Sequence, residues 1–354
     1  QYELPFRRLY QERFGIYHDI TLMAATGRKS DLMRSKANDG ALDDWLATTV
    51  TLGGKGLHYI AFADEPNLNY ADYSVYRNFF ASMAQRVRAY PGAHAAGVRI
   101  AMPASSRLVN GPLRSDAAQR IGLDWAKRLL AEFEPQIDAL AWHEWMIRDL
   151  LATRSYRDSV RRAAELVGLD SAGRPRKALL LDQTNLSSGS TLSLYEQNTQ
   201  YAALWWASVV INASQDGLLD MLNWFHIADE PEWPKGMVKV LSDNRFELKP
   251  VGLAQQFIGQ HWLDQVLPTA PQLRYCLDPV IGDTHSRSSN PSGSNDTTCP
   301  PCRLRRAMEN GVSTRNTSRP CQTCFTPLSS ITICWPGGMR WTGSYATRDS
   351  SPGS

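Results

Sequence analysis

Cysteine is absent from most of this 354-residue chain, because all six cysteines lie at or beyond Cys276. The part before Cys276 therefore has no disulfide framework and no thiol chemistry. Long apolar runs are missing as well. No run reaches the roughly 18 residues that cross a bilayer, and no basic segment followed by an apolar one opens the chain. We therefore expect no membrane partner.

The chain also lacks the glycine-rich turns that bind nucleotide phosphates. Neither GxGxxG nor GxxxxGKS/T occurs, and the glycine run at 53–56 precedes an apolar stretch instead of following one. A helix stop is the favoured interpretation of that run. Lysine and arginine are scattered and the net charge is only +3, so we expect no nucleic-acid partner.

What the chain does contain is a regular series of apolar runs. Its 43% hydrophobic and 21% charged residues are typical of a globular protein with a sizeable core. Six short runs recur at intervals of roughly 40 residues, and helical patterns fill the gaps between them. The runs are centred on Leu22, Ala61, Ile100, Leu140, Leu180 and Leu222. Strands that alternate with helices in this way predict a parallel sheet.

The number of strands bears on the choice between two architectures. A closed strand–helix barrel needs eight strands. An open doubly wound sheet is the rival, but it normally carries a glycine-rich phosphate turn after its first strand, which this chain lacks. We therefore predict, over residues 1–268, a TIM-type (β/α)8 barrel that lacks its first two βα repeats.

The composition changes from about residue 270. No lysine follows Lys249, and Ser, Thr, Arg, Pro and Cys dominate. Such a segment buries too little apolar surface to offset its chain entropy, so residues 269–354 are predicted to be a low-complexity, disordered tail. An alternative is a four-cysteine zinc ribbon, whose spacing is matched by Cys299, Cys302, Cys321 and Cys324. The odd cysteines at 276 and 334, and a composition typical of an out-of-frame reading, favour the disordered tail.

Polar and aromatic side chains stand where four of the predicted strands end, which is the edge that carries catalytic residues in a strand–helix barrel. They are Asp64 and Glu65; Trp142, His143, Glu144 and Trp145; Asp182, Gln183 and Asn185; and Trp224 and His226. Aromatic faces stack on sugar rings, and carboxylates and amides hold hydroxyl groups. Any one of these residues is more often a satisfied strand-end residue, but four such ends together favour a binding site.

The stretch LHYIAFADEPNLNY at 57–70 resembles a known family. Its DEP motif after an apolar strand is similar to the Asn-Glu-Pro signature of clan A glycoside hydrolases. The layout of residues 1 to about 265 is most similar to family 39, the xylosidase and iduronidase group. The resemblance implies that Glu65 is the acid/base, that His143 is a polar site residue and that Trp224 floors a sugar subsite. No cofactor and no catalytic metal are expected.

Two positions depart from that family's pattern. Asp64 stands where the family has an Asn that holds the sugar 2-hydroxyl, and a second carboxylate beside Glu65 should raise the pKa of one of the pair. Gln183 stands where the family has its nucleophilic Glu, and a neutral amide is too poor a nucleophile for that role.

Three explanations remain open for the missing nucleophile. Asp182 is one candidate, although strict strand alternation would turn it toward the helices unless a bulge intervenes. Another rim carboxylate, such as Glu144, Asp229 or Glu230, is a second, and a wider separation would admit a water and give inversion. The third is that the barrel binds sugar without cleaving it.

The sequence therefore predicts a glycosidase. We expect hydrolysis of an O-glycosidic bond in a β-linked oligo- or polysaccharide by a retaining acid/base mechanism, with a degenerate carbohydrate-binding barrel as the alternative. The expected catalytic positions are Glu65, Asp182 and Gln183. The expected sugar contacts are Asp64, His143, Trp145, Asn185 and Trp224. A polysaccharide substrate also predicts an extracellular or cell-envelope location.

Overall fold

The computed structural model describes residues 3–23, 36–70, 72–109, 121–145, 147–186, 194–231, 233–241, 245–262, 332–334 and 340–342. The chain divides into two units, Gln1–Pro268 and Thr269–Ser354. The glycosidase-like domain and the disordered tail assigned to these stretches stay predictions, and the four cysteines of the possible zinc ribbon lie outside the described residues. Within the described ranges, no helix is both long and apolar enough to cross a membrane.

Strands and helices alternate through the first unit. The main strands are β1 (Asp19–Met23), β2 (His58–Phe62), β3 (Val98–Ser106), β4 (Ala139–Glu144), β5 (Ala178–Thr184) and β6 (Met221–Trp224). The helices are α1 (Glu3–Phe14), α2 (Lys36–Leu52), α3 (Pro66–Asn69), α4 (Tyr73–Ala89), α5 (Gly122–Phe133), α6 (Ser155–Val167), α7 (Leu194–Asn198), α8 (Gln200–Ser214) and α9 (Pro250–His261). Two short antiparallel pairs follow the main sheet: β7 (Val238–Val240) with β8 (Phe246–Leu248), and β9 (Thr332–Cys334) with β10 (Arg340–Thr342).

Strands β1 to β6 form one parallel sheet in which each strand lies beside the next strand of the chain. A doubly wound sheet reverses its strand order at a switch point, whereas a strand–helix barrel adds every new strand beside the last. The predicted TIM-type architecture is therefore confirmed. In the part of the chain that the structure describes, the parallel sheet has six strands, two fewer than a closed barrel.

The sheet has two faces of different character. Alternate residues such as Ile60 and Phe62 face the helices, where the Phe62 ring meets that of Phe80 in α4 with centroids 5.6 Å apart. The opposite face has a separate cluster of mostly small buried residues: Tyr59, Ala61, Ala101, Ala104, Ala139, Ala141 and Leu180. We call this the small-residue face. It decides where the polar side chains at the strand ends are placed.

Candidate active site

The carboxyl ends of β2, β4 and β5 bring five polar side chains together. We name this group the carboxylate cluster, and its members are Asp64, Glu65, His143, Asp182 and Gln183. Strand alternation explains part of the arrangement. Ala141 of β4 lines the small-residue face, so His143 follows on that face, and Leu180 of β5 has the same relation to Asp182. The cluster therefore lies at the edge of the sheet where barrel sites form.

A turn in left-handed backbone conformation ends β2. Ala63 and Glu65 have φ angles of 77° and 47°, a region that residues other than glycine rarely adopt. The Glu65 amide donates to the carbonyl of Ala104 in β3 at 3.1 Å, and Pro66 begins α3 immediately afterwards. Proline suits this first helical position because its missing N–H would have no partner there. The turn carries Asp64 and Glu65 together into the cluster.

Glu65 is held by two hydrogen-bond donors. Its Oε1 lies 3.1 Å from His143 Nδ1 and accepts from Trp145 Nε1 at 3.1 Å. Burial by itself would raise the pKa of Glu65. The hydrogen bonds and the charge of His143 outweigh burial and lower this pKa below its ordinary value. Glu65 is therefore an ionised carboxylate, and 16% of its side chain remains exposed.

His143 is fully buried between carboxylates. Its Nδ1 faces Glu65, while its Nε2 lies 3.6 Å from Asp182 Oδ2 and 3.8 Å from Asp64 Oδ1. Burial opposes protonation of the ring, but the charges and hydrogen bonds of Asp182 and Glu65 raise the pKa of His143 to about 10. The ring is therefore an imidazolium cation at neutral pH, and it ties the ends of three strands together.

Asp64 is the most exposed carboxylate of the cluster, with 46% of its side chain accessible. Its Oδ1 accepts a long hydrogen bond of 3.5 Å from Gln183 Nε2. Burial raises the pKa of Asp64, and the charges of Glu65 and Asp182 act in the same direction, whereas His143 opposes them. The two adjacent carboxyl groups thus differ, since the pKa is raised for Asp64 and lowered for Glu65.

Asp182 lies on the cluster side of the sheet, because strand alternation puts it on the same face as Leu180. The expectation that alternation would turn it toward the helices is therefore wrong. The register between β4 and β5 shifts here, and Asp182 is the unpaired residue between Leu181 and Gln183. Such a bulge lets neighbouring side chains reach one face, so Asp182 meets His143 while Gln183 meets Asp64. The Asp182 side chain is completely buried, and a substrate cannot touch it in this conformation.

Aromatic side chains border the cluster. Trp145, whose indole donates to Glu65, packs edge-on against Phe225 with ring centroids 5.5 Å apart. The Nζ of Lys235 lies 5.9 Å from the Trp145 ring and 4.4 Å from the Trp233 ring. Burial lowers the pKa of Lys235 to about 8. The structure therefore places the predicted contact Trp145 at the site, together with a lysine that sequence reasoning missed.

Trp224 does not join the cluster. Its ring packs edge-on against two tryptophans of α8, with centroids 5.9 Å from Trp205 and 5.4 Å from Trp206. It therefore lies on the helix side of the sheet. The next residue, Phe225, contacts Trp145 instead. Sequence reasoning missed Phe225, and the signal that could have found it is the alternation of strand residues between the two faces.

Asn185 is also engaged elsewhere. It is buried, and its Nδ2 donates to the carbonyls of Phe225 at 2.6 Å and Lys235 at 3.2 Å. Its Oδ1 accepts from Gln197 Nε2 at 2.6 Å. These bonds fix the segment that carries Phe225, so the structure places Asn185 behind the site and not among the accessible groups.

The other rim carboxylates do not approach the cluster. Glu144 is buried and accepts from Ser159 Oγ of α6 at 3.0 Å, and burial raises the pKa of Glu144 to about 7. Asp229 accepts from Lys249 Nζ at 2.6 Å, and Glu230 is exposed. Among the described residues, the carboxyl groups that contact His143 are those of Asp64, Glu65 and Asp182.

The cluster is identified by its chemistry and not by a deep cavity or a metal. Among the residues with described positions, no group of three or more His, Cys, Asp or Glu side chains is arranged to hold a metal ion. Two surface clefts of about 550 and 590 Å³ are lined by residues between 87 and 98 and between 147 and 158. Neither cleft is lined by a member of the cluster.

No protein-family model and no curated protein matches the chain. Solved structures are similar to it in fold. The GH51 arabinofuranosidase from Xanthomonas axonopodis pv. citri has a TM-score of 0.44 at 10% identity, covering 72% of this chain and 65% of its own. The exo-beta-1,4-mannosidase Op5Man5 from Opitutaceae bacterium strain TAV5 has a TM-score of 0.42 at 12% identity, and the match covers 70% of this chain and 53% of the mannosidase chain. The family 1 β-glucosidase from Thermotoga maritima has a TM-score of 0.43 at 10% identity, and the match covers 73% of this chain and 86% of the glucosidase chain.

These structural neighbours are glycoside hydrolases. The chain spans less than two thirds of the length of the first two. A likeness at this level of identity and TM-score assigns neither a substrate nor a mechanism to this chain.

Proposed function

We propose that the carboxylate cluster hydrolyses an O-glycosidic bond of a β-linked oligo- or polysaccharide. The observation that carries the proposal is the contrast between neighbouring carboxyl groups, with the pKa raised for Asp64 and lowered for Glu65. Glycoside hydrolysis needs one carboxyl group that gives a proton to the leaving oxygen and one that is ionised. Both side chains are accessible to a ligand, whereas Asp182 is not.

The pKa directions favour Asp64 as the proton donor and Glu65 as the ionised carboxylate. The family resemblance instead implies that Glu65 carries the proton, so the two arguments assign the donor differently. The imidazolium of His143 stabilises the charge on Glu65. Glu65 would then either attack the sugar or activate a water. Retention of anomeric configuration follows from the first route and inversion from the second.

The two positions that depart from the family 39 pattern contact each other, which supports this assignment. Asp64 Oδ1 accepts from Gln183 Nε2 at 3.5 Å. The resemblance implies an amide at 64 and a carboxylate at 183, and this chain has the reverse arrangement. The pair therefore keeps one carboxyl group and one amide, with the carboxyl group on Asp64.

The dependence of rate on the leaving group tests these roles. A nitrophenolate leaves without taking up a proton, whereas an alkyl alcohol must be protonated as it departs. The Asp64→Asn variant should therefore cleave alkyl β-glycosides about 10²- to 10⁴-fold more slowly than wild type and lose much less on nitrophenyl β-glycosides. The Glu65→Gln variant should lose activity on both.

Glu165→Gln is a matched control, because Glu165 is an exposed carboxylate of α6 that pairs with Arg162. It should keep wild-type rates on both substrates. If Glu65→Gln, and not Asp64→Asn, shows the dependence on leaving group, Glu65 is the proton donor. A wild-type chain that releases no product from any β-glycoside would contradict hydrolysis.

Carbohydrate binding without cleavage is the second candidate function. It is favoured by the complete burial of Asp182 and by the amide at Gln183, which leave Asp64 and Glu65 as the accessible carboxyl groups of the cluster. Isothermal titration calorimetry with β-linked oligosaccharides distinguishes the two functions. Saturable heat with no product after prolonged incubation would establish binding alone.

A further inference from the structure

The residue that follows β6 is bonded to the end of β5 beside the carboxylate cluster. This residue is Phe225, and both polar groups of its main chain have partners there. Its amide donates to the Thr184 carbonyl at 2.9 Å, and its carbonyl accepts from Asn185 Nδ2 at 2.6 Å. Two hydrogen bonds of good length, one at each side of the residue, fix the position of the Phe225 main chain relative to β5.

The Asn185 amide joins several parts of the chain. Besides the Phe225 carbonyl, its Nδ2 reaches the Lys235 carbonyl at 3.2 Å, and its Oδ1 accepts from Gln197 Nε2 at 2.6 Å. The Lys235 carbonyl also accepts from Trp224 Nε1 at 2.8 Å. Asn185 is completely buried, and a buried amide is costly to leave without partners. These bonds therefore define where the Phe225 carbonyl lies.

The Phe225 side chain in turn packs against Trp145. The two rings meet edge-on, with centroids 5.5 Å apart and an interplanar angle of 79°. Such an edge-to-face contact is favourable and sets the orientation of both rings. Trp145 is buried, and its Nε1 donates to Glu65 Oε1 at 3.1 Å. A continuous series of contacts therefore runs from Asn185 through Phe225 and Trp145 to Glu65.

We propose that Asn185 is a positioning residue that acts on Glu65 through Phe225. Its amide holds the Phe225 main chain, and the Phe225 ring keeps the Trp145 indole in place. The indole N–H thus stays within hydrogen-bond distance of the Glu65 carboxylate. This inference rests on the proposed function of Glu65 as the ionised carboxylate. An Asn185 that is merely structural would contribute to folding without acting on Glu65.

Other charged groups near Glu65 are unaltered in the variants below. His143 Nδ1 lies 3.1 Å from the Glu65 carboxylate, and Asp64 and Asp182 lie 3.8 and 3.6 Å from His143 Nε2. These side chains belong to β4, to β5 and to the turn after β2, and none of them contacts the Asn185 amide. A change in the titration of Glu65 is therefore attributable to the contacts through Trp145.

Carbon-13 NMR of a chain labelled at the glutamate carboxyl carbons measures the pKa of Glu65, with the signal assigned from Glu65→Gln. Asn185→Ala should raise this pKa by about one unit, as Trp145→Phe should, since both variants weaken a hydrogen bond to the charged form. In a chain labelled with nitrogen-15 at tryptophan, the indole N–H signal of Trp145 is assigned from Trp145→Phe. This signal should move upfield in Asn185→Ala, because the indole loses its acceptor.

The double variant that combines Asn185→Ala with Trp145→Phe tests the route. If Asn185 acts through Trp145, the double variant should show the pKa rise of Trp145→Phe alone. A rise equal to the sum of the two single rises would overturn the proposal. So would a wild-type pKa of Glu65, or a wild-type indole signal of Trp145, in Asn185→Ala.

Phe225→Leu tests the middle of the series and is decisive if Asn185→Ala does not fold. It leaves the Asn185 hydrogen bonds in place, because both go to main-chain carbonyls, those of Phe225 and Lys235. The pKa of Glu65 should rise and the indole signal of Trp145 should move upfield in this variant too. Wild-type values of both would overturn the proposal.

Asn212→Ala is the matched control. Asn212 is a buried asparagine of α8, and its Nδ2 donates to the Ser208 carbonyl at 2.9 Å. This variant should keep the wild-type pKa of Glu65, and a rise equal to that in Asn185→Ala would overturn the proposal by showing a general effect of losing a buried amide. The NMR measurements need no turnover, so an inactive chain would contradict the proposed function without deciding this one.

Discussion

Replacing His143 by glutamine tests the imidazolium at the centre of the cluster. The pKa of His143 is raised from 6.5 to about 10 in the folded chain. Because the folded-state pKa is the higher one, the stabilisation is complete below pH 6.5 and is lost as the pH rises through 10. Between these values the folded chain holds a proton that the unfolded chain lacks. The free energy of unfolding should then fall by about 1.4 kcal/mol per pH unit.

Other groups contribute to the pH dependence, and their signs differ. Burial lowers the pKa of Lys235 from 10.5 to about 8, so its contribution to stability increases as the pH rises through this range. Burial raises the pKa of Tyr59 from 10.0 to about 12, so its contribution is lost only above pH 10. A comparison of wild type with His143→Gln over the same interval removes these shared contributions.

Denaturant unfolding followed by tryptophan fluorescence at about pH 7 and about pH 9 measures the difference. From about pH 7 to about pH 9, the free energy of unfolding should fall by about 2 kcal/mol more in wild type than in His143→Gln. His261→Gln, at the exposed end of α9, is the control and should keep the wild-type slope. If the free energy of unfolding changes equally with pH in wild type and in His143→Gln, the ring between Glu65 and Asp182 is not protonated and the reasoning is refuted.

Two further substitutions test contacts inside and outside the cluster. Trp145→Phe removes the indole N–H that donates to Glu65 at 3.1 Å. The pKa of Glu65 should therefore rise, and the acid side of the pH–rate profile should move to higher pH. An unchanged pH–rate profile would count against this contact. Asp216 accepts from Arg157 and Arg161, and these hydrogen bonds lower the pKa of Asp216 to about 2. Asp216→Asn should therefore lower the free energy of unfolding by about 1 to 2 kcal/mol at neutral pH. The difference from wild type should disappear as the pH falls from 3.8 toward 2. Equal free energies of unfolding at neutral pH would contradict the role of the ion pairs between Asp216 and the two arginines.

The parallel sheet could be predicted because its signal is local and repeated. Each strand is a short apolar run, β2 to β5 are largely buried on both faces, and the runs recur with helices between them. In the structure β2 ends at Phe62, and Pro66 begins α3.

The site could be predicted only in part. Strand order alone brings Glu65 and His143 to one edge, so their proximity follows from the sequence. The bulge at Asp182 depends on how β5 pairs with its neighbours, and no local signal announces it. The Glu65 amide donates to the carbonyl of Ala104, whose left-handed backbone its residue type does not suggest.

The rate at which the wild-type chain cleaves phenyl β-glycosides across the acid range tests the central claim most directly. The rate should fall on the alkaline side as Asp64 loses its proton and on the acid side as Glu65 gains one, and Asp64→Asn should remove the alkaline fall. An alkaline fall that persists in Asp64→Asn, or a wild-type chain that releases no phenol at any pH, would contradict a glycosidase built on these two carboxyl groups.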